Sequence, residues 1–160
     1  MLDELLLQLA ETLKKKGWML ATAESCTGGW IAKSCTDLAG SSAWFERGFV
    51  TYSNEAKQEM LGVRAETLAV YGAVSEAVTA EMASGALQRS HAQVSVSVSG
   101  IAGPGGATPA KPVGTVCFGW AAQGSAVRTE TCHFEGDRDS VRRQSVEHAL
   151  RGVFHSLDME

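Results

Sequence analysis

The stretch WMLATAESCTGG, residues 18–29, carries a short apolar run of strand length that ends in small residues and two glycines. A helical pattern follows, beginning near Thr27, with apolar residues such as Ile31 and Cys35 on its inner face. A strand that turns directly into a helix is a building block of α/β folds. Because ligands of such folds bind beyond the carboxyl ends of strands, this stretch predicts both the fold class and a candidate site at Ser25.

Helical and strand patterns alternate along the rest of the chain. Helices are predicted over residues 2–16, 53–60 and 65–71, after Ser75, and around residues 146–157. Strands are predicted over residues 18–23, 44–52, 94–99, 115–122 and 127–134. The turn at residues 123–125 can join only antiparallel neighbours. We therefore predict one domain over residues 1–160, a three-layer α/β/α sandwich with a mixed, mostly parallel sheet and an antiparallel edge strand.

The charge balance and the apolar pattern argue against two classes of partner. The 160 residues carry a formal net charge of -4, and no basic run rises above residues 14–16, so the basic surface of a nucleic-acid-binding protein is missing. No apolar stretch approaches the roughly 20 residues that span a bilayer, and the N-terminus lacks the features of a signal peptide. We therefore expect a cytoplasmic protein whose four cysteines are reduced thiols, with no nucleic-acid or membrane partner.

The first candidate loop contains Ser25, which follows a strand where the next helix begins. Its hydroxyl could act as a nucleophile, while backbone N–H groups of Thr27, Gly28 and Gly29 could hold an oxyanion or a phosphate. Alternatively, Ser25 or Thr27 merely caps the helix. Cys26 is a rival nucleophile because helix N-termini lower thiol pKa values, although small cysteines are commonly packed in cores.

The second candidate loop, residues 51–57, follows the strand predicted over residues 44–52. Lys57 could take the proton from a serine hydroxyl if desolvation leaves its amine partly neutral. Tyr52 could donate a hydrogen bond or relay the proton. The alternative is a solvated lysine one turn after a Ser53 helix cap, which composition alone favours because lysines are mostly exposed.

The third candidate loop follows the strand at residues 94–99, in which valines alternate with serines small enough to let a helix pack closely. Its candidate binding residues are Ser99, Gly100, Gly103, Gly105 and Gly106. Backbone N–H groups in such a loop can surround an anion, although a plain flexible turn has the same composition. No two histidines pair at metal-ligand spacing, so no metal site is predicted.

Five ordered blocks of the sequence resemble the CinA C-terminal domain family, which includes nicotinamide mononucleotide deamidases of the PncC type. The blocks are AESCTGG (23–29), YSNEAK (52–57) with LGV (61–63), AVS (73–75), SGIAGPGG (99–106) and KPVGTV (111–116), continued by GDR (136–138) and VR (141–142). The likeness runs from about residue 2 to residue 155. Many relatives carry an additional N-terminal domain, so this chain resembles the stand-alone form.

The resemblance implies a mixed-sheet α/β/α fold and hydrolysis of the carboxamide of nicotinamide mononucleotide, giving nicotinate mononucleotide and ammonia. The family's serine nucleophile corresponds to Ser25, and its lysine and tyrosine correspond to Lys57 and Tyr52. In this scheme Ser25 attacks the amide, Lys57 moves the proton with help from Tyr52, and N–H groups over residues 27–29 stabilise the oxyanion. No metal or organic cofactor is required.

The resemblance also implies residues that bind the nucleotide, the small-molecule partner expected here. The hydroxyl at the head of the family's glycine-rich loop corresponds to Ser99, and the loop over residues 100–106 would orient the substrate. The family's site arginine corresponds to Arg142 or Arg138, and we favour Arg142. The sequence does not decide which loop holds the phosphate.

Two other functions remain open. The same fold could serve a non-catalytic nucleotide-binding or protein-interaction module, since fold and motifs do not prove turnover. An esterase or amidase with another substrate range is the third possibility, although the Gly-x-Ser-x-Gly elbow is absent and no Ser/His/Asp set appears. We expect a symmetric homo-oligomer, with a dimer as the default.

Overall fold

Strands and helices alternate in the computed structural model, which describes residues 2–158. The elements are, in chain order, α1 (Leu2–Lys16), β1 (Leu20–Glu24), α2 (Trp30–Thr36), a short 3-10 turn (Ser41–Ala43), β2 (Phe45–Val50), α3 (Asn54–Leu61), α4 (Ala65–Tyr71), α5 (Glu76–Gln88), β3 (Val94–Gly100), β4 (Thr115–Ala122), β5 (Arg128–His133) and α6 (Arg138–Asp158). All predicted helices and strands are present. The helix predicted from near Thr27 begins only at Trp30, because Gly28 and Gly29 adopt positive φ angles of 59° and 104° that prolong the turn.

The five strands form one mixed sheet in the order β2-β1-β3-β4-β5. β1 is parallel to both of its neighbours, whereas β4 is antiparallel to both β3 and β5. The mixed sheet and the antiparallel edge strand β5 are therefore confirmed. Antiparallel pairing already begins at β3, because the loop over residues 101–114 carries no crossover helix and returns the chain alongside the strand it has just left.

Helices cover both faces of the sheet. On one face, α1, α2 and α6 enclose a large apolar cluster that includes Leu13, Phe118 and Leu150. On the other face, α3 and α5 pack a smaller cluster that includes Leu61 and Met82. The three-layer α/β/α arrangement is thus confirmed. Among residues 2–158, no helix is both long and apolar enough to cross a membrane.

The serine side of β3 lets α5 approach the sheet closely, as predicted. Ser95 Oγ donates to the Ala83 carbonyl at 2.7 Å, and Ser97 Oγ donates to the Thr79 carbonyl at 2.6 Å. On the neighbouring strand, a Cβ at Gly119 would overlap the Thr79 carbonyl oxygen. The small residues of β3 and β4 therefore hold α5 at a fixed distance from the strands that carry the candidate loops.

Two serines cap helices as the sequence predicts. Ser53 Oγ accepts a hydrogen bond from the Ala56 N–H at 3.0 Å and begins α3. Ser75 Oγ accepts one from the Val78 N–H at 3.2 Å and begins α5. The first of these caps sets the helix that carries Lys57, and it therefore bears directly on the candidate site.

Candidate active site

The register of the parallel strands brings the three candidate loops to one edge of the sheet. Glu24, the last residue of β1, pairs with Val50 of β2 and with Val98 of β3. Beyond the strand ends, the Ser25 N–H donates to the Val98 carbonyl at 3.0 Å, and the Thr51 N–H donates to the Glu24 carbonyl at 2.8 Å. These backbone bonds place the loops that follow β1, β2 and β3 side by side.

Lys57 points back from α3 into this edge and is buried. Its side chain is 1% exposed, and its Nζ lies 2.9 Å from Ser25 Oγ. The same nitrogen also lies 3.0 Å from the Thr51 carbonyl oxygen and 3.2 Å from that of Tyr52. The alternative of a solvated lysine is therefore wrong, because the Ser53 cap starts α3 in a direction that carries Lys57 inward.

Burial acts in opposite directions on the lysine amine and the neighbouring thiol. Desolvation lowers the pKa of Lys57 below its ordinary value, because the charged ammonium loses water. Desolvation raises the pKa of the Cys26 thiol to about 12. The amine is therefore shifted toward the form that can accept a proton, and the thiol stays protonated near neutral pH, which argues against Cys26 as the nucleophile.

Glu24 is a residue of this region to which the sequence patterns assign no role. Its carboxylate is fully buried and accepts hydrogen bonds from Thr27 Oγ1 at 2.6 Å, from the Ile31 N–H at 2.8 Å and from the Ala32 N–H at 3.0 Å. Glu24 therefore caps α2, and neither Ser25 nor Thr27 does. The available signal was an acidic residue shortly before a helix start, where a carboxylate complements the helix dipole.

A cavity of about 230 Å³ opens beside Ser25. Its walls include Lys57 from α3, Ser99 and Gly100 at the end of β3, and Arg138 at the start of α6. Ser99 is 1% exposed, and its hydroxyl makes no hydrogen bond to another group within the part of the chain that the structure describes. The cavity thus presents a hydroxyl pair, an amine and a guanidinium group to any ligand that enters it.

Tyr52 contributes to the site in two separate ways. Its carbonyl oxygen accepts from Lys57, and Ser25 Oγ lies 3.4 Å from the same oxygen. Its side chain lines the cavity and is largely exposed to solvent. Asn54 lies beside it in the cavity wall, a residue that sequence reasoning did not single out. The phenol therefore stands at the mouth of the cavity.

The glycine-rich loop reaches the cavity only through its first residues. Gly100 lines the cavity, and the Gly103 carbonyl accepts a hydrogen bond from Arg138 at 2.9 Å. Gly105 and Gly106 are exposed and do not line it. The loop therefore supports the guanidinium group of Arg138 while its tip extends into solvent.

The two candidate arginines have different surroundings. Arg142 donates from Nε to the Cys26 carbonyl and from Nη2 to the Thr27 carbonyl, each at 3.1 Å, and its guanidinium lies 5.5 Å from the Trp30 ring centroid. It lines a separate cleft with residues 27–29. Arg138, rather than the favoured Arg142, lines the cavity beside Ser25, because α6 begins next to the glycine-rich loop.

The turn after Ser25 leaves fewer free N–H groups than the sequence interpretation assumed. The Gly28 N–H already donates to the Ser25 carbonyl at 3.1 Å, and the Trp30 N–H donates to the Thr27 carbonyl at 3.1 Å. The N–H of Cys26, the residue directly after Ser25, has no such backbone partner among residues 2–158. Gly28 is therefore a poor candidate for an oxyanion donor, whereas the N–H groups of Cys26, Thr27 and Gly29 have no backbone partner among the described residues.

Side chains that could bind a metal lie elsewhere. Among the side chains of residues 2–157, the only group of three or more closely spaced metal-binding side chains is Glu130, Cys132 and His148, on β5 and α6. None of them lines the cavity beside Ser25. The polar groups at that cavity include the hydroxyls of Ser25 and Ser99, the amine of Lys57 and the guanidinium group of Arg138.

The sequence matches a family model and several known proteins. The model for the CinA C-terminal domain matches residues 2–157. The chain is 60% identical to the nicotinamide-nucleotide amidohydrolase PncC of Escherichia coli (strain K12), with 98% of both chains covered. It is 57% identical to the nicotinamide-nucleotide amidohydrolase PncC of Enterobacter agglomerans, over 94% of this chain and 92% of that protein.

Solved structures with the same fold also match nearly the whole chain. The competence/damage inducible protein CihA from Agrobacterium tumefaciens superposes with a TM-score of 0.94 at 44% identity, covering 98% of this chain and 95% of that chain. A CinA superfamily protein from Klebsiella pneumoniae gives a TM-score of 0.95 at 41% identity, covering 100% and 99%. Sequence and fold agree over nearly the whole length, and the chain belongs to the CinA C-terminal domain family.

Proposed function

We propose that the chain is a nicotinamide mononucleotide amidohydrolase in which Ser25 and Lys57 carry out the acyl transfer. The observation that carries the proposal is the 2.9 Å separation between Ser25 Oγ and the Nζ of a buried lysine. Among the described side chains, residues 2–157, no carboxylate forms an ion pair with Lys57. A buried lysine without a counter-ion is costly, and such groups concentrate where a perturbed pKa serves catalysis. Relatives at 57–60% identity carry this activity in their names.

When the Lys57 amine is neutral, the bonds around it direct its lone pair at Ser25. A neutral amine has two N–H donors and one lone pair, and three oxygens surround Nζ. The carbonyls of Thr51 and Tyr52 can accept only, so they take the two N–H groups. The lone pair is then directed at the one neighbour that has a proton to give, the Ser25 hydroxyl.

The reaction follows from this arrangement. Ser25 Oγ attacks the carboxamide carbon of the substrate as Lys57 takes the hydroxyl proton, and the N–H of Cys26 stabilises the oxygen that becomes negative. When the tetrahedral intermediate collapses, the C–N bond breaks and Lys57 returns the proton to the departing nitrogen, which leaves as ammonia. Water then attacks the acyl-enzyme in the same way, giving the free carboxylate and restoring Ser25.

The remaining walls of the cavity supply substrate binding. Arg138 offers a positive charge beside Ser99, whose hydroxyl has no partner within the described chain, so a negatively charged or hydroxyl-bearing ligand would be held there. Gly100 lets the substrate approach the backbone closely. The Tyr52 phenol at the cavity mouth can donate to the substrate or relay a proton.

The proposal is tested by measuring ammonia release from nicotinamide mononucleotide by the wild type and by Ser25→Ala. We expect kcat/KM to fall at least about a thousandfold in Ser25→Ala, because the nucleophile is removed while the fold is kept. Cys26→Ala is the matched control on the neighbouring residue and should retain most of the activity.

Three outcomes would contradict the proposal. Full activity in Ser25→Ala would remove Ser25 as nucleophile, and loss confined to Cys26→Ala would indicate a thiol mechanism. Thermal stabilisation by the nucleotide without ammonia release from the wild type would indicate a binding module.

A further inference from the structure

Three metal-binding side chains meet between the edge strand and the last helix, away from the cavity beside Ser25. Glu130 and Cys132 are two residues apart on β5 and lie on the same face of the strand. His148 faces them from α6, with Nε2 at 2.9 Å from Glu130 Oε1 and at 3.4 Å from Cys132 Sγ. The three donor atoms all lie within 4.8 Å of one another.

One ring nitrogen of His148 faces two possible partners in this cluster. A ring nitrogen offers one in-plane bond, either as a donor or as an acceptor. If Nε2 of His148 carries a proton and donates it to Glu130, the Cys132 thiol has no acceptor at Nε2. If Nε2 is unprotonated and accepts from the thiol, its lone pair faces the Glu130 carboxylate. Two partners therefore compete for one nitrogen, and a cation between the three donors removes the conflict.

The spacing of the donors fits a tetrahedral ion. Zinc binds His nitrogen and carboxylate oxygen at about 2.0–2.2 Å and Cys sulfur at about 2.3 Å, so neighbouring ligands in a tetrahedron lie about 3.3–3.6 Å apart. The two separations that involve His148, 2.9 Å for N···O and 3.4 Å for S···N, need shifts of roughly half an ångström or less, and the donor atoms of Glu130 and Cys132 lie within 4.8 Å of each other. We propose that Glu130, Cys132 and His148 form a zinc site with one position left open for water.

The surroundings favour a preformed and reachable site. The ring centroids of Phe118 and Phe134 lie 4.7 and 6.0 Å from that of His148, which holds the imidazole in place. The Glu130 side chain is 48% exposed, so an ion can enter from solvent. A thiolate with an imidazole selects zinc over magnesium or calcium, which prefer oxygen ligands. Zinc would link the edge strand β5 to α6.

The site is tested on the full-length chain after metal removal with a chelator. Calorimetric titration with Zn²⁺ should show one ion bound per chain and an increased thermal midpoint. Co²⁺ as a spectroscopic probe should give visible bands of tetrahedral intensity and a near-ultraviolet charge-transfer band from the thiolate. Cys132→Ser should remove the charge-transfer band, and Glu130→Gln should weaken zinc binding about tenfold or more.

His155→Gln is the matched control, two turns further along α6 and outside the cluster. It should bind zinc like the wild type. The proposal is overturned if the wild type shows no saturable zinc binding in the micromolar range, or if the charge-transfer band survives in Cys132→Ser. Because Glu130 is half exposed, Glu130→Gln keeps the test decisive even if Cys132→Ser fails to fold. An unchanged zinc affinity in Glu130→Gln would also overturn the three-ligand site.

Discussion

At the scale of single residues, the most informative side chain is Lys57. A lysine is among the side chains least often fully buried, yet this one is 1% exposed and bonded to oxygens that carry no full charge. Burial lowers the pKa of Lys57, and a base with a lowered pKa is unprotonated over a wider pH range. The pH dependence of turnover should therefore report on this residue.

We expect kcat/KM for ammonia release to rise with pH and then level off, with an apparent pKa below the ordinary lysine value of about 10.4. The sign follows from the base function, since the protonated amine cannot accept the Ser25 proton. Stability should also rise with pH from the lowered pKa toward the ordinary one, because there the unfolded chain holds a proton that the folded chain has lost. Steady-state rates and urea unfolding across pH measure both effects.

Lys57→Arg keeps the positive charge but cannot lose its proton, so it should lower kcat/KM by about a hundredfold or more. Lys33→Arg, on the exposed surface of α2, is the control and should behave like the wild type. A flat pH profile, or an active Lys57→Arg variant, would rule out lysine as the base.

Sequence motifs could identify Ser25 and Lys57 as candidates, but they could not decide between neighbours with the same chemistry. Arg138 and Arg142 are one helical turn apart, and only the entry angle of α6 places the first in the cavity and the second behind the loop. Glu24 was missed because its role depends on hydrogen bonds to residues as far as eight positions ahead. Such contacts depend on the turn geometry at Gly28 and Gly29.

At the scale of elements, the junction between β1 and α2 is the critical connection. Three donors from the turn and from α2 bind one carboxylate at the strand end, so the position of Ser25 is tied to that of the helix. The turn itself depends on Gly28 and Gly29, whose positive φ angles other side chains rarely adopt.

Glu24→Gln should weaken this junction, because an amide keeps one acceptor oxygen and directs N–H groups where Glu24 Oε2 now accepts from Ala32. We expect a loss of about 1–3 kcal/mol in the free energy of unfolding and a fall in kcat/KM. Urea unfolding and the ammonia assay measure the two effects. Glu76→Gln is the matched control, a carboxylate that accepts from two threonine hydroxyls near solvent and away from Ser25. If Glu24→Gln keeps the stability and the kcat/KM of the wild type, the cap does not position the nucleophile.

Element types, most boundaries and the antiparallel pairing of β4 with β5 followed from local patterns, while the other strand pairings did not. The valine–serine alternation of β3 and the serine caps of α3 and α5 are local signals, and each was confirmed. No local signal places β4 next to β3. That pairing depends on the loop over residues 101–114, which closes by long-range hydrogen bonds such as the one from the Gly114 N–H to the Ile101 carbonyl at 2.8 Å.

At the scale of the whole molecule, two apolar clusters flank one sheet. All four tryptophans lie in or against the larger cluster, on the face covered by α1, α2 and α6. The smaller cluster under α3 and α5 contains none of them. If the chain is one domain, as the sequence predicts, the two clusters unfold together and the tryptophans report on both.

Met82→Ala in the smaller cluster should therefore lower the stability seen by tryptophan fluorescence, although no tryptophan touches that cluster. The expected loss is about 2–5 kcal/mol, because a fully buried side chain is truncated. Fluorescence and far-ultraviolet circular dichroism in urea should give one coincident transition. Met60→Ala, at an exposed position, is the control. Two separate transitions, or an unshifted fluorescence midpoint in Met82→Ala, would show that the chain unfolds as independent units.

The homo-oligomer expected from the sequence, by default a dimer, stays a prediction.

The buried thiol beside the nucleophile has a consequence for chemical labelling. Cys26 is 8% exposed, and burial raises its pKa to about 12, so almost none of it is thiolate near neutral pH. Alkylating reagents react with thiolates, and the thiol next to Ser25 is therefore shielded from them by protonation as well as by packing. An electrophile that modifies this cavity in the folded protein would thus report on hydroxyl or amine chemistry rather than on the neighbouring thiol.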